Sequence, residues 1–454
     1  MPYVSLNPAT NKVFKTFPSW DDRKLASVLE QAHTAQLAWC RTSIGERCNL
    51  LQRASGLLRE RSGDFASLIT LEMGKPLREA KAEVAKCALG CEYYALHAGD
   101  FLEPELVETD AGASYVSFEP LGTVLAVMPW NFPFWQVFRF AAPTLMAGNS
   151  AVLKHASSVP QCALAIEEIF RASGFPEHLF TTLLIEVDQV ADVIASPLVQ
   201  AVTLTGSEPA GRKVASMAGQ HLKKCVLELG GSDPFIVLAD ADLDYAAQMA
   251  VASRFLNCGQ SCIAAKRFIL VPEIAEQFLA LFQEKAAVLK IGDPMDESTQ
   301  IGPLARLDLR DELHRQVSDT IAQGAIALLG CQPVAGDGAF YQVSILDRVT
   351  SQCRAYHEEL FGPVAIAIRA TDEDDAMRIA NDTRFGLGAS IWSRDLRHAE
   401  KLARDIQAGS VFINGMVKSD PRLPFGGIKA SGFGRELSYQ GLREFVNEKT
   451  VWVK

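Results

Sequence analysis

Short apolar runs separated by helical stretches recur in two successive series along this chain, and that double alternation most restricts its fold. The first series holds candidate strands at 115–119, 123–128, 150–153, 181–186, 201–205 and 225–229. The second holds 235–238, 267–271, 325–329, 364–369, 388–392 and 411–414. Helical stretches at 242–256, 274–289, 373–381 and 397–407 separate members of the second series. Short apolar strands alternating with helices imply parallel sheets covered on both faces. Before them, 21–39, 44–74 and 77–97 carry apolar spacing near 3.6 and read as helices. The expectation is an α/β protein of two domains with a boundary near Gly230-Gly231.

A chain of 454 residues is long enough for two or three domains with a large core. The formal net charge of -10 argues against nucleic acid or an anionic membrane as the main partner. No apolar run approaches the roughly 20 residues that cross a bilayer. No secretory pattern is visible at the start. The ten cysteines lack zinc-finger spacing, so they read as reduced thiols of a cytoplasmic protein with no metal site.

The run Asn257-Cys258-Gly259-Gln260-Ser261-Cys262 ends an apolar helical segment on a glycine turn and places a thiol beyond it. A thiol there can attack a carbonyl; taken singly, a Cys is more often a small buried hydrophobe. Glu228-Leu229-Gly230-Gly231 puts a carboxylate at a strand end. That acid can activate water, hold a ribose as in a dinucleotide domain, or be structural. Thr205-Gly206-Ser207 with Gly211 runs from a strand into a turn and a helix start, where amides can approach a pyrophosphate. The usual Gly-x-Gly-x-x-Gly spacing is absent, so a plain turn fits equally well. Pro129-Trp130-Asn131-Phe132-Pro133 can hold the Asn131 amide still for an oxyanion, or simply pack on the core. Lys154 and Ser157 follow another strand and suit ribose or phosphate contacts, or solvent. Nothing assigns chemistry to His155.

Together with Glu359-Leu360-Phe361-Gly362-Pro363 and Pro424-Phe425-Gly426-Gly427, these motifs resemble the aldehyde dehydrogenase superfamily, in order along nearly the whole chain. The resemblance implies a Rossmann-like cofactor domain at 1–110 and 124–230, and an α/β catalytic domain at 231–433. It implies a small β oligomerisation arm at 111–123 and 434–454, hence a homodimer or homotetramer. It makes Cys262 the nucleophile and Glu228 the general base, with Asn131 and the Cys262 amide as the oxyanion hole. Trp130, Lys154, Ser157, Gly206, Ser207, Gly211, Leu229, Glu359 and Phe361 become the cofactor contacts. Cys258 either packs or pairs reversibly with Cys262.

NAD-preferring members carry Glu where this chain has Ser157, so the resemblance implies that NADP is accepted, with NAD possible beside it. The chain is similar to the succinate-semialdehyde dehydrogenase branch. That likeness gives Arg139 and Ser419 to the distal carboxylate and makes Trp135 and Ser261 substrate contacts. A surface or interface ion pair is the other reading of Arg139. Leu256 stands where some branch members have a second arginine. The alternative substrates are other short aliphatic or aromatic aldehydes. A CoA-acylating enzyme and a non-catalytic relative are remoter readings, since both the thiol and the acid are present.

Overall fold

The computed structural model describes residues 3–454. Two open sheets organise the chain. The first has six strands in the order Gly432–Phe433, Lys224–Glu228, Val199–Thr205, Thr123–Met128, Ser150–His155, Phe180–Thr182. All its pairings are parallel except that of Gly432–Phe433 with Lys224–Glu228. The chain winds outward from Thr123–Met128 through Ser150–His155, then returns to place Val199–Thr205 on the other side. A crevice opens where the winding reverses, beyond the carboxyl ends of Thr123–Met128 and Val199–Thr205. The residues just past those ends are Pro129 to Asn131 and Gly206-Ser207.

The second sheet has seven strands in the order Ile326–Leu329, Ser344–Asp347, Val364–Arg369, Ala265–Leu270, Asp233–Val237, Gly388–Trp392, Ser410–Ile413. Only the edge pair Ile326–Leu329 with Ser344–Asp347 is antiparallel. The inner strands Asp233–Val237 and Ala265–Leu270 are buried at every position, as strands between two helical layers are, with the charged Asp233, Lys266 and Arg267 buried among the apolar residues. A third sheet joins Val446–Val453, Ala113–Pro120 and Glu105–Leu106, all antiparallel.

The structure departs from the sequence expectations at several points. The helix expected over 44–74 is two helices, Ile44–Glu60 and Ser62–Met73, because Arg61 leaves the helical region (φ -103, ψ 23). The strand expected at 181–186 is Phe180–Thr182, since it is an edge whose pairing ends early. Tyr3–Asn7 and Lys12–Phe17 form a hairpin that the sequence reading left out. Thr123 belongs to the six-stranded sheet, Gly432–Phe433 joins it too, and Glu105–Leu106 joins the three-stranded one. Of the C-terminal tail only Val446–Val453 reaches the third sheet. Leu437, Leu442 and Phe445 pack into the core around the helix Leu77–Phe101.

Among the described residues, no helix is long and apolar enough to cross a membrane, and no cluster of His, Cys, Asp and Glu could hold a metal ion.

Candidate active site

Asp242 caps the helix Leu243–Phe255 by accepting the Tyr245 amide at 3.2 Å. The chain leaves the helix through Asn257 and Cys258, both left-handed (φ 53 and 56). Two such non-glycine residues in a row persist only where surroundings over-determine them. Here Asn257 N–H donates to Glu79 Oε2 at 2.6 Å and its side-chain amide donates to Asn131 O at 2.7 Å. Cys258 Sγ accepts the Gly302 amide at 3.1 Å and is fully buried in the core of the second sheet. Cys258 therefore packs, and all ten cysteines are free. The twisted loop delivers Cys262 to a place where two clefts meet.

The first cleft, of about 270 Å³, runs past Trp130, Asn131, Thr205, Gly206, Ser207, Leu229, Glu359 and Phe361 to Cys262. It opens at the reversal point of the six-stranded sheet. The second, of about 90 Å³, runs from Cys262 past Ser261, Phe132, Trp135, Leu256 and Phe425 to Arg139, Lys86 and Ser419. A third, of about 510 Å³, holds Lys154 and Ser157 with Tyr3, Ile185 and Arg306. Of the cofactor contacts expected from sequence, Gly211 lines none of these. It sits under Leu229, and a Cβ there would lie 2.5 Å from a Leu229 methyl, so its part is close helix–strand packing.

Asn131 is fixed by both ends of its amide. Its oxygen accepts from Gln136 Nε2 at 3.1 Å, and its nitrogen donates to Gln260 O at 3.0 Å. One N–H of that nitrogen remains for a ligand in the cleft. The Cys262 amide has no acceptor within the protein among the described residues. Two donors therefore stand beside the sulfur, the arrangement an oxyanion needs.

Glu359 and the Cys262 loop together explain the double glycine, since a Cβ on Gly231 would lie 2.7 Å from the Cys262 carbonyl oxygen. A Cβ on Gly230 would collide with its carboxylate, and Gly231 N–H donates to Glu359 Oε1 at 3.2 Å. Lys266 pairs with the same oxygen at 3.1 Å while donating to the Cys262 carbonyl at 2.9 Å. One acid thus ties the Glu228–Gly231 turn to the cysteine loop.

Glu228 ends its strand with its carboxylate buried and without a hydrogen bond. It lines neither cleft that contains Cys262. It faces Glu436, Arg139 and Arg435 behind Gly426, where a Cβ would lie 2.8 Å from its Oε1. Burial, reinforced by the Glu436 charge, pushes its carboxyl well above the usual range. Burial also pushes the Cys262 thiol up to about 12, against the pull of Arg139 and Lys266. Arg139 forms a buried ion pair with Glu436, reaches Thr205 Oγ1 at 3.4 Å and lies 4.6 Å from the Phe425 ring. Arg139 thus stands at the end of the second cleft, and its ion pair is buried within the protein, not the surface or interface pair that was the other reading.

Gln136, Glu436, Lys266 and Lys86 were missed by sequence reasoning. Lys86 left one trace, a lone cation three residues past Glu83 on a face otherwise made of Ala80, Cys87 and Gly90.

A thiol, two amide donors and a buried carboxylate between two α/β domains are the groups that an enzyme forming acyl intermediates on cysteine would need. The sequence matches the model of the aldehyde dehydrogenase family over residues 2–451, and the chain belongs to that family. It is 51% identical over 453 residues, covering both chains fully, to a probable NADP(+) succinate-semialdehyde dehydrogenase of Synechocystis sp.. It is 48% identical over 457 residues to an NADP(+) succinate-semialdehyde dehydrogenase of Mycobacterium avium, covering 100% of this chain and 97% of the relative. It also superposes on a succinic semialdehyde dehydrogenase from Streptococcus pyogenes in complex with NADP+, with TM-score 0.98, 40% identity and 99% of each chain covered.

Proposed function

We propose that this protein oxidises succinate semialdehyde to succinate through a thioester on Cys262, with NADP or NAD as the oxidant. The observation that carries the reading is the position of Cys262. One cleft leads from it to turn amides and Glu359, the other to a cationic end with Arg139 and Ser419. The names borne by the relatives support the same substrate. Other short aldehydes are the second reading, favoured by Leu256, which leaves an apolar wall in the substrate cleft.

The residues fit a dinucleotide phosphate. Lys154 Nζ donates to the carbonyl of His155 at 2.9 Å and has no acidic partner among the described residues. Burial lowers it to about 8, and a phosphate bound beside it would raise it again. Ser157 beside it is exposed and uncharged. Lys154 and Ser157 would hold the adenosine end, and Gly206, Ser207, Glu359 and Phe361 the cleft leading to the sulfur. Bound there, a nicotinamide supplies the acceptor for a hydride.

Cys262 passes its proton through water in the cleft to solvent, and its sulfur adds to the aldehyde carbon as the carbonyl electron pair moves onto oxygen. Asn131 Nδ2 and the Cys262 amide hold the oxygen that becomes negative. Loss of hydride from that carbon leaves the acyl group on the sulfur. Glu228 turns from Glu436 toward Cys262, releases its proton to solvent, and takes a proton from a water whose oxygen adds to the thioester carbon, breaking the carbon–sulfur bond. The acid departs and the thiol is restored.

The experiment is kcat/KM for succinate semialdehyde, butyraldehyde and benzaldehyde with each cofactor. A clear lead for succinate semialdehyde with NADP supports the reading, and equal rates across the three aldehydes overturn the substrate. Ser157→Glu should lower kcat/KM with NADP while sparing NAD. A strong NAD preference unchanged by that substitution refutes the role of Ser157.

The same reading includes a homodimer or homotetramer built on the three-stranded sheet, which exposes Leu106, Trp452 and Val453. It places the protein in the cytoplasm, consistent with its ten free thiols.

A further inference from the structure

Lys86 lies in the substrate cleft, yet no step above uses it. It sits on the helix Leu77–Phe101, on the face that meets the helix Trp135–Met146. Three positions of that face act on Trp135. Glu83 accepts its backbone N–H at 3.0 Å, a Cβ on Gly90 would lie 3.2 Å from its ring, and Lys86 Nζ crosses that ring at 4.5 Å. The Lys86 ammonium then donates to Ser419 Oγ at 2.7 Å.

Three other buried cations near Cys262 and the second cleft have acids. Lys75 pairs with Glu83, Arg139 with Glu436, and Lys266 with Glu359. Lys86 has no ion-pair partner among the described residues. The charged and titratable groups around it are Glu83 and Cys87 on its own helix, Arg139 on the neighbouring one, and Lys418 and Asp420 beside Ser419. Glu83 is committed to Lys75, and Asp420 to Arg422 at 2.7 Å. Ser419 Oγ accepts twice, from Lys86 and from Trp135 Nε1 at 3.0 Å. Its own proton finds no acceptor in the protein among the described residues. Lys86 likewise keeps two N–H groups. One end of the cleft is therefore all donor and carries an unmatched positive charge, while the other end is the Cys262 sulfur. Phe132 and Ile263 make apolar wall between them.

We propose that Lys86, with the Ser419 hydroxyl, is the receptor for the distal carboxylate of a short oxo acid whose aldehyde carbon reaches Cys262. This rests on the substrate class proposed above and assigns its selectivity to a residue outside the motifs that gave the family. Arg139, balanced by Glu436, shapes that end of the cleft and adds less net charge to it. Burial, with Arg139 next in weight, lowers the ammonium to about 8. Lys86 is therefore charged below that pH in the empty cleft and loses its charge above it.

The test is kcat/KM for succinate semialdehyde and for butyraldehyde, which lacks only the carboxylate, in the parent protein, Lys86→Met, Lys86→Gln and Lys86→Arg. Removing one partner of a desolvated ion pair should cost about 30-fold or more. We expect that loss in Lys86→Met and Lys86→Gln on succinate semialdehyde alone, mostly through KM. Butyraldehyde oxidation should stay within about 2-fold, and Lys86→Arg should recover most of the loss. In the parent protein, KM for succinate semialdehyde should rise as pH passes 8, and the rise should vanish in Lys86→Met. Equal losses on both aldehydes, or no loss, overturn the assignment. A parent protein with no preference for succinate semialdehyde overturns the substrate reading and this proposal with it. A preference that survives Lys86→Met overturns this proposal alone.

Discussion

At the scale of single residues, the site depends on groups held in the less reactive of their two protonation states. Desolvation pushes the half-buried Cys262 thiol up to about 12, which favours the protonated form in the resting protein. Thiolate is the species that reacts, and its fraction grows about tenfold per pH unit below the pKa. Alkylation of Cys262 by iodoacetamide without cofactor should therefore be slow at neutral pH and still rising beyond pH 9. A plateau reached below pH 8 would contradict the burial argument. Asn131 offers a second check, because Gln136 and Gln260 fix both ends of its amide. Asn131→Ala should lower kcat by about 10²- to 10³-fold. A loss confined to KM would show that Asn131 binds substrate without serving the oxyanion.

At the scale of elements, the loop bearing Asn131 is anchored from the neighbouring strand. His155 ends Ser150–His155, its Nε2 lies 2.9 Å from Pro133 O, and its Nδ1 accepts the Ala156 amide at 2.9 Å. Those partners fix the neutral ring, and burial lowers its pKa from 6.5 to about 4. Between those values the unfolded chain binds a proton that the folded one refuses. Stability from this group is thus intact above about pH 6.5 and is lost as pH falls toward 4. The full window amounts to about 3 kcal/mol. Urea midpoints at pH 7 and pH 4.5 should diverge more for the parent than for His155→Asn, and equal divergence would remove His155 from the explanation.

The same scale shows what could be read from sequence. Cys262, Asn131 and the Gly206 turn stand out as candidates because each sits at an element end with short-range backbone signals around it. The hydrogen bond from Lys86 to Ser419 spans 333 positions, and no local pattern announces it. Glu436 and Lys266 escaped for the same reason, since their partners come from other elements. The break at Arg61 escaped because the apolar spacing runs on through it. At Gly211 the sequence motif points to the cofactor, and the structure adds a local reason for glycine there, the close approach of Leu229.

At the scale of the molecule, the candidate site lies between two independently wound sheets. Glu228 comes from the first and Cys262 from a loop of the second, with Glu359 bridging them. The third sheet stands apart and buries little of its apolar surface, with Leu106 86% and Trp452 51% exposed. Apolar surface left in that way marks an interaction face. For the proposed homo-oligomer, removing residues 446–454 should convert the assembly to monomers in sedimentation. An unchanged assembly would move the interface elsewhere.

One measurement bears most directly on the claim that the substrate carbon is carried on Cys262 and freed by Glu228. Glu228→Gln mixed with succinate semialdehyde and NADP should give a burst of about one equivalent of NADPH per active site. Mass spectrometry of the quenched protein should then find one succinyl group on the peptide containing Cys262. No adduct during such a burst, or an adduct on another side chain, would contradict the account.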